Sequence, residues 1–273
     1  MKRCLWTMLA LMCCQLPLAA QLPVMLGNKW AGCHAVHPAR NYEFKILPDG
    51  GITLVPERRS REPVAIDKRI CINYGLEEVS DDGTRAIKRT NRDTLSASQE
   101  PTAEIRKLEI RGEANGGASF ELSVGQQRDV MSLAGRVLES GRAGQSMCFA
   151  LRIVIPNIYR NVETDDRKLQ REFEKTARRD LLAIERGDGS SQRLDCGDHA
   201  VIDGAALTGK GIRRIELRLS YYEGRTLWFE ATGKSSISIT PPKTPGPWYE
   251  GLILDWRPSA EAAEAGELRC GVE

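Results

Sequence analysis

Along most of the chain, apolar residues recur at every second position, a period of two rather than 3.6, and this predicts strands. Tyr42, Phe44 and Ile46 alternate with polar neighbours, and Pro48-Asp49-Gly50-Gly51 turns the chain into Ile52 and Leu54, a hairpin signal. Ile66, Lys68, Ile70, Ile72 and Tyr74 fall on one side of an extended segment, with Cys71 on the other. Phe120, Leu122 and Val124 follow the loop Asn115-Gly116-Gly117, and Met131, Leu133 and Val137 continue, with Gly135 breaking the row. Phe149, Leu151, Ile153 and Ile155 alternate most cleanly and stop at Pro156. A later hairpin runs through Ile215, Leu217, Leu219 and Tyr221 to Glu223-Gly224 and returns through Leu227, Phe229 and Ala231. Ile237 with Ile239, and Ile253 between Leu252 and Leu254, add two more strands.

One segment, at about 164–186, reads as a helix. Thr164 or Asp165 caps it, Asp165 and Asp166 suit the positive end of its dipole, and Leu169, Phe173, Ala177 and Leu181 recur every four residues before Gly187 stops it. The stripe is narrow and the other positions are basic, so a surface helix is expected. Many short strands with turn signals and one inserted helix predict a mainly β protein, an antiparallel β-sandwich of jelly-roll type. Residues 21–80 read as an N-terminal extension with a hairpin, 81–101 as a polar linker or long loop, 102–258 as the main sandwich and 259–273 as a tail, helical or frayed, that Cys270 could pin.

The first twenty residues stand apart. Met1-Lys2-Arg3 is a cationic head, the stretch from Cys4 to Cys14 is apolar, and Pro17-Leu18-Ala19-Ala20 is a small-residue exit, the three-part form of a secretory signal. The apolar stretch is about a dozen residues against the roughly 20 that cross a bilayer. The chain is therefore expected to be exported, periplasmic or extracellular, with cleavage near Ala20. A lipid anchor at Cys13 or Cys14 would want a small residue before the cysteine, and Met12 is not small. No transmembrane segment is expected in the mature chain. Without Lys2 and Arg3 the basic count falls from 39 to 37, equal to the 37 acidic residues, which removes the basic footprint nucleic acid requires.

Export changes the reading of the cysteines. Of eight, Cys33, Cys71, Cys148, Cys196 and Cys270 remain in the mature chain, and an oxidising compartment implies up to two disulfide bonds and one spare thiol. All three histidines stand near two of these cysteines, in Cys33-His34-Ala35-Val36-His37 and Asp195-Cys196-Gly197-Asp198-His199. A Cys33 to Cys196 bridge would gather His34, His37, Asp198 and His199 into a set suited to zinc or a similar divalent ion. Solvated loop histidines, with the cysteines paired elsewhere, are the simpler alternative.

Motifs for acyl transfer and nucleotide binding are missing. Glu216, Glu230, Glu250 and Asp255 lie on predicted strands and offer the carboxylates a hydrolase would need, with Arg218 and Arg225 as ordinary ion-pair partners for the first two. The aromatic residues point elsewhere. Pro241-Pro242-Lys243-Thr244-Pro245-Gly246-Pro247-Trp248-Tyr249 sets two large rings on a stiff loop, with Tyr222 and Trp228 on the neighbouring hairpin. Flat rings on a pre-ordered loop suit a sugar face or a protein surface. Trp228 and Trp256 can equally fill the core. The sequence thus favours a non-catalytic module that binds a carbohydrate or an envelope protein and needs no cofactor, with a metal-dependent or carboxylate hydrolase and a ligand-free structural envelope protein as alternatives.

Overall fold

The computed structural model describes residues 21–142, 146–158, 171–172, 175–196, 211–240, 251–259 and 266–273. The expected signal segment, residues 1–20, lies outside them. The strands are β1 (Ala35–Pro38), β2 (Tyr42–Ile46), β3 (Ile52–Pro56), β4 (Ile70–Val79), β5 (Arg85–Lys88), β6 (Thr90–Ala97), β7 (Lys107–Ala114), β8 (Ala118–Gln127) and β9 (Val130–Glu139). They continue with β10 (Ser146–Ile155), β11 (Leu181–Arg186), β12 (Ser191–Asp195), β13 (Ile212–Arg218), β14 (Thr226–Ala231), β15 (Ser235–Thr240), β16 (Leu252–Pro258) and β17 (Leu268–Val272).

Among the described residues one parallel bridge joins Ala35 of β1 to Thr102, while these strands pair antiparallel with one another and fall into two layers. The first runs β1-β2-β3-β4-β10-β16-β15, and β5 continues the far edge of β4. The second runs β6-β7-β8-β9-β17-β14-β13-β11-β12. They meet at a corner where Ile237 of β15 pairs with Ile212 of β13. This is a sandwich, because period-two strands give each layer one apolar face and both faces close on a single core. Ile72, Leu76, Phe149, Leu151, Ile153, Leu254 and Trp256 from the first layer join Leu108, Phe120, Leu122, Leu133, Leu217, Phe229 and Leu268 from the second in one buried cluster. Each such side chain contributes about 1.5–3 kcal/mol by leaving water.

The break in the β9 row has a packing cause. A Cβ on Gly135 would sit 2.1 Å from the Phe149 ring, and only glycine lets that ring lie against the strand. Phe149 lies tilted against Phe120 at 6.1 Å and Phe120 meets the edge of Tyr74 at 5.7 Å, so the opening at Gly135 seats a row of three rings.

Four local expectations are corrected. The helix does not reach 186: residues 171–172 and 175–177 are helical, but Leu181–Arg186 is strand β11. Leu182 and Ile184 point inward at a spacing of two, β11 gains partners on both sides, and Gly187 belongs to the turn into β12 rather than to a helix end. The stretch 81–101 is not a bare linker, since it carries β5 and β6; it reads as polar because β6 buries only Leu95. Residues 21–80 are no appendage, as β1 to β4 extend the layer of β10 and β16. The tail is neither helix nor frayed end at 268–272, where β17 lies between β14 and β9.

Candidate functional site

The structure scatters the aromatic set. Tyr222 is fully buried and its hydroxyl donates to the Lys68 carbonyl at 2.8 Å, so its ring has no face for a ligand. Burial also pushes its hydroxyl above the usual tyrosine range. Trp228 is only 7% exposed, although it lies on the outer face of β14, opposite Leu227 and Phe229. It packs on Gly271, where a Cβ would come within 2.8 Å of the ring, and the Arg214 guanidinium sits 4.8 Å above it. Trp256 fills the core and donates to the Ser235 hydroxyl at 3.0 Å. Trp248 and Tyr249 lie outside the described residues, between Thr240 at the end of β15 and Leu252 at the start of β16.

No disulfide joins any of the five cysteines, so the Cys33 to Cys196 bridge that would gather the histidines is not formed. Cys33 precedes β1, an edge strand of the first layer, and Cys196 follows β12, an edge strand of the second. His34 is buried with Nδ1 2.7 Å from the Pro23 carbonyl. His37 is buried too, and burial holds its pKa below the usual imidazole value. Asp198 and His199 lie outside the described residues, and among the described residues no three His, Cys, Asp or Glu side chains are grouped to hold a metal. The thiols are graded in exposure: Cys71 is exposed, Cys33 and Cys148 are half-buried, and Cys270 is buried with its pKa pushed up to about 12. The thiolate is the reactive form. At pH 8 iodoacetamide is therefore expected to modify Cys71 in the native protein and Cys270 only after denaturation, as read by peptide mass spectrometry; labelling of native Cys270 would contradict its burial.

A different group of residues does converge. On the face of the first layer turned away from the core, β4 presents Asn73 and Glu77, β10 Cys148 and Arg152, β16 Asp255 and Arg257, and β15 Ser238 and Thr240. Their registers bring Glu77 opposite Cys148, Arg152 opposite both Asn73 and Asp255, and Ser238 opposite Asp255. Glu77 and Asp255 are each only 4% exposed. Arg257 grips Glu77 with Nε at 2.6 Å and Nη2 at 2.8 Å, and Arg85 adds a contact at 3.4 Å. Arg152 grips Asp255 at 2.7 and 3.3 Å, and the Thr240 hydroxyl donates to the same carboxylate at 2.9 Å. The same Arg257 nitrogen lies 3.8 Å from Asp255, which joins the two clamps, while Arg257 Nη1 donates to the Ser238 hydroxyl at 3.2 Å. The Glu77 hydrogen bonds raise the Arg257 pKa further. Burial pushes the neighbouring Cys148 thiol up.

Chemically this is an array of planar groups in fixed orientation, with three guanidinium cations against two carboxylates. Every carboxylate oxygen already accepts a hydrogen bond, so the array orients donors and does not present an idle base. Glu216 and Glu230, by contrast, form ordinary ion pairs with Arg214 and Arg213 on the outer face of the second layer. Sequence reasoning singled out Asp255 but missed Glu77, Arg152 and Arg257. The available signal was a charge at the centre of an apolar strand, as Arg152 stands between Leu151 and Ile153 and Asp255 between Leu254 and Trp256.

Comparison with family models and with curated protein sequences gives no match. Among solved structures the chain is similar to the Slr1438 protein from Synechocystis sp. PCC 6803, at 11% identity and a TM-score of 0.47 over 87% of this chain and 94% of that one. It is also similar to a putative aldose 1-epimerase from Escherichia coli K12, at 9% identity and a TM-score of 0.48 over 88% of this chain and 98% of that one. A galactose mutarotase-like protein from Lactobacillus casei ATCC 334 is similar at 10% identity and a TM-score of 0.45, over 87% of this chain and 98% of that one.

Proposed function

We propose that the chain is an exported carbohydrate-binding module that works without a chemical step, reading sugar hydroxyls with the polar face of β4, β10, β16 and β15. The observation that carries this reading is the pair of joined clamps, Arg257 on Glu77 and Arg152 on Asp255, whose buried carboxylates are held on the outward face of the first layer. A guanidinium fork fixes direction as well as charge, and Ser238, Thr240 and Asn73 add groups that donate and accept beside it. Rigidly placed planar groups of this kind distinguish one hydroxyl orientation from another. The carboxylates already accept from arginine and threonine, which favours binding over acid–base work. Trp248 and Tyr249 complete the proposal: they belong to the connection that leaves this face at Thr240 and returns at Leu252, and an aromatic ring there would stack on a sugar ring. Export rests on the form of residues 1–20.

The test is binding of the exported protein to a glycan array, followed by calorimetry on the best ligand. Trp248→Ala with Tyr249→Ala is expected to weaken binding at least tenfold, since a buried aromatic anchor commonly contributes more than 1 kcal/mol, with the melting temperature unchanged. Binding to no glycan, or equal binding by the variant, would overturn the reading.

A further inference from the structure

Beside the polar face, the first layer has a gap. The edge of β4 away from β10 pairs with β3 only over Ile70, Cys71 and Ile72, and with β5 only over Leu76 to Val79. Asn73, Tyr74 and Gly75 have no strand partner on that side among the described residues. A cleft of about 810 Å³ opens there, between the 47–51 turn and the β5–β6 segment. That volume falls within the range of small-molecule sites, roughly 300–1,000 Å³.

Two features of the cleft point to a ligand. Its wall carries neutral polar groups, Asn91, Asn115 and Thr90, beside three cations and two carboxylates, Lys88, Arg89, Arg92, Asp49 and Asp93. Amides both donate and accept, which matches the paired donor and acceptor character of vicinal hydroxyls. Two of its cations are engaged, Arg92 with Asp49 at 3.0 Å and Lys88 with Glu78, and the remaining two charges, Arg89 and Asp93, are of opposite sign, so the cleft has no net charge to select an anion. The second feature is Tyr74. Its ring lines the cleft, its hydroxyl is shut off from water, and that hydroxyl has no hydrogen-bond partner. The 47–51 turn closes over it so tightly that a Cβ on Gly50 would lie 2.5 Å from the oxygen. A buried hydroxyl left unpaired costs about 1–3 kcal/mol, a cost that a ligand hydroxyl would remove where the turn at Gly50 gives way enough to let it reach the oxygen.

We infer that this cleft is a second site, separate from the polar face and the Trp248–Tyr249 connection, that takes a neutral polyol of mono- or disaccharide size and gives Tyr74 its missing hydrogen bond. The experiment is calorimetric titration of the exported protein with glucose, galactose, N-acetylglucosamine, maltose and lactose, repeated with Tyr74→Phe, with Asn115→Ala and with the Trp248→Ala, Tyr249→Ala double variant. Saturable binding of at least one sugar is expected. Tyr74→Phe should weaken it five- to twentyfold without lowering the melting temperature, because the hydroxyl it removes has no partner in the free protein. Asn115→Ala should weaken it by a smaller factor, and the double variant should bind as the parent does. Absence of binding to all five sugars overturns the inference, as does unchanged affinity in Tyr74→Phe or a lowered melting temperature in that variant. Loss of binding in the double variant alone would assign the sugar to the Trp248–Tyr249 connection and overturn the cleft, while leaving the polar-face reading intact.

Discussion

Ending the chain after Glu267 is expected to abolish folding. β17 pairs with β14 from Leu227↔Val272 to Ala231↔Leu268, and its other edge pairs with β9 at Leu268, Arg269 and Cys270. Removing it cuts the second layer between β9 and β14 and leaves two unpaired strand edges, each a template for aggregation. The lost burial alone is decisive. Leu268, Cys270 and Val272 all point into the core, and at about 1.5–3 kcal/mol for each of Leu268 and Val272, with Cys270 adding less, the truncation removes roughly 4–7 kcal/mol. Total stabilities of single domains are about 5–15 kcal/mol, so little or nothing is left before the lost backbone pairing is counted. The measurement is soluble yield, gel filtration and far-ultraviolet circular dichroism of the truncated chain beside the full one. A soluble monomer with an unchanged spectrum would show that β17 is dispensable and the second layer misassigned.

That same strand shows where reading the sequence stops. β10 was legible because Phe149, Leu151, Ile153 and Ile155 make four inward positions in a row, enough to define a period. β17 offers three, Leu268, Cys270 and Val272, behind an alanine- and glutamate-rich stretch, and Gly271 looks like a breaker until Trp228 is seen lying on it. Between Ala177 and Ile184 two periods compete. Leu181 continues a spacing of four, whereas Leu182 and Ile184 follow a spacing of two, and the pairing of β11 with β12 and β13 decides for the strand. β6 was hidden for the opposite reason, since a strand that buries one residue carries no alternation. The polar face was the least legible of all. Glu77 and Arg257 are 180 positions apart, and no local pattern announces that the topology will set β4, β10 and β16 side by side. What the chain does disclose is the cost: a charge inside an apolar strand is tolerated where a partner waits on the next one.

The cost of that arrangement supports the last prediction. Arg257→Met is expected to destabilise the protein by about 3–5 kcal/mol, because it leaves the buried Glu77 carboxylate without its clamp. Arg85 remains, but at 3.4 Å and 40% exposed it is a poor substitute. Arg269→Met supplies the control: Arg269 is exposed and its half-buried partner Glu267 is two residues away on the same strand end, and surface pairs contribute about 0–1 kcal/mol. The discriminating variant is the double one, Arg257→Met with Glu77→Met. Replacing both members of a buried pair by apolar groups of similar volume is often neutral or stabilising, so most of the loss should be regained, with a coupling energy in the range contacting residues show, about 0.5–3 kcal/mol or above. Urea unfolding of the parent, Arg257→Met, Glu77→Met, the double variant and the Arg269→Met control measures it; if the double variant is no more stable than Arg257→Met, Glu77 is not the group that Arg257 compensates. A recovered fold also separates structure from function at this face. Apolar residues would have served stability equally well, so a double variant that folds as firmly as the parent but binds no glycan identifies the clamps as recognition groups, retained for the directions in which they hold their hydrogen bonds.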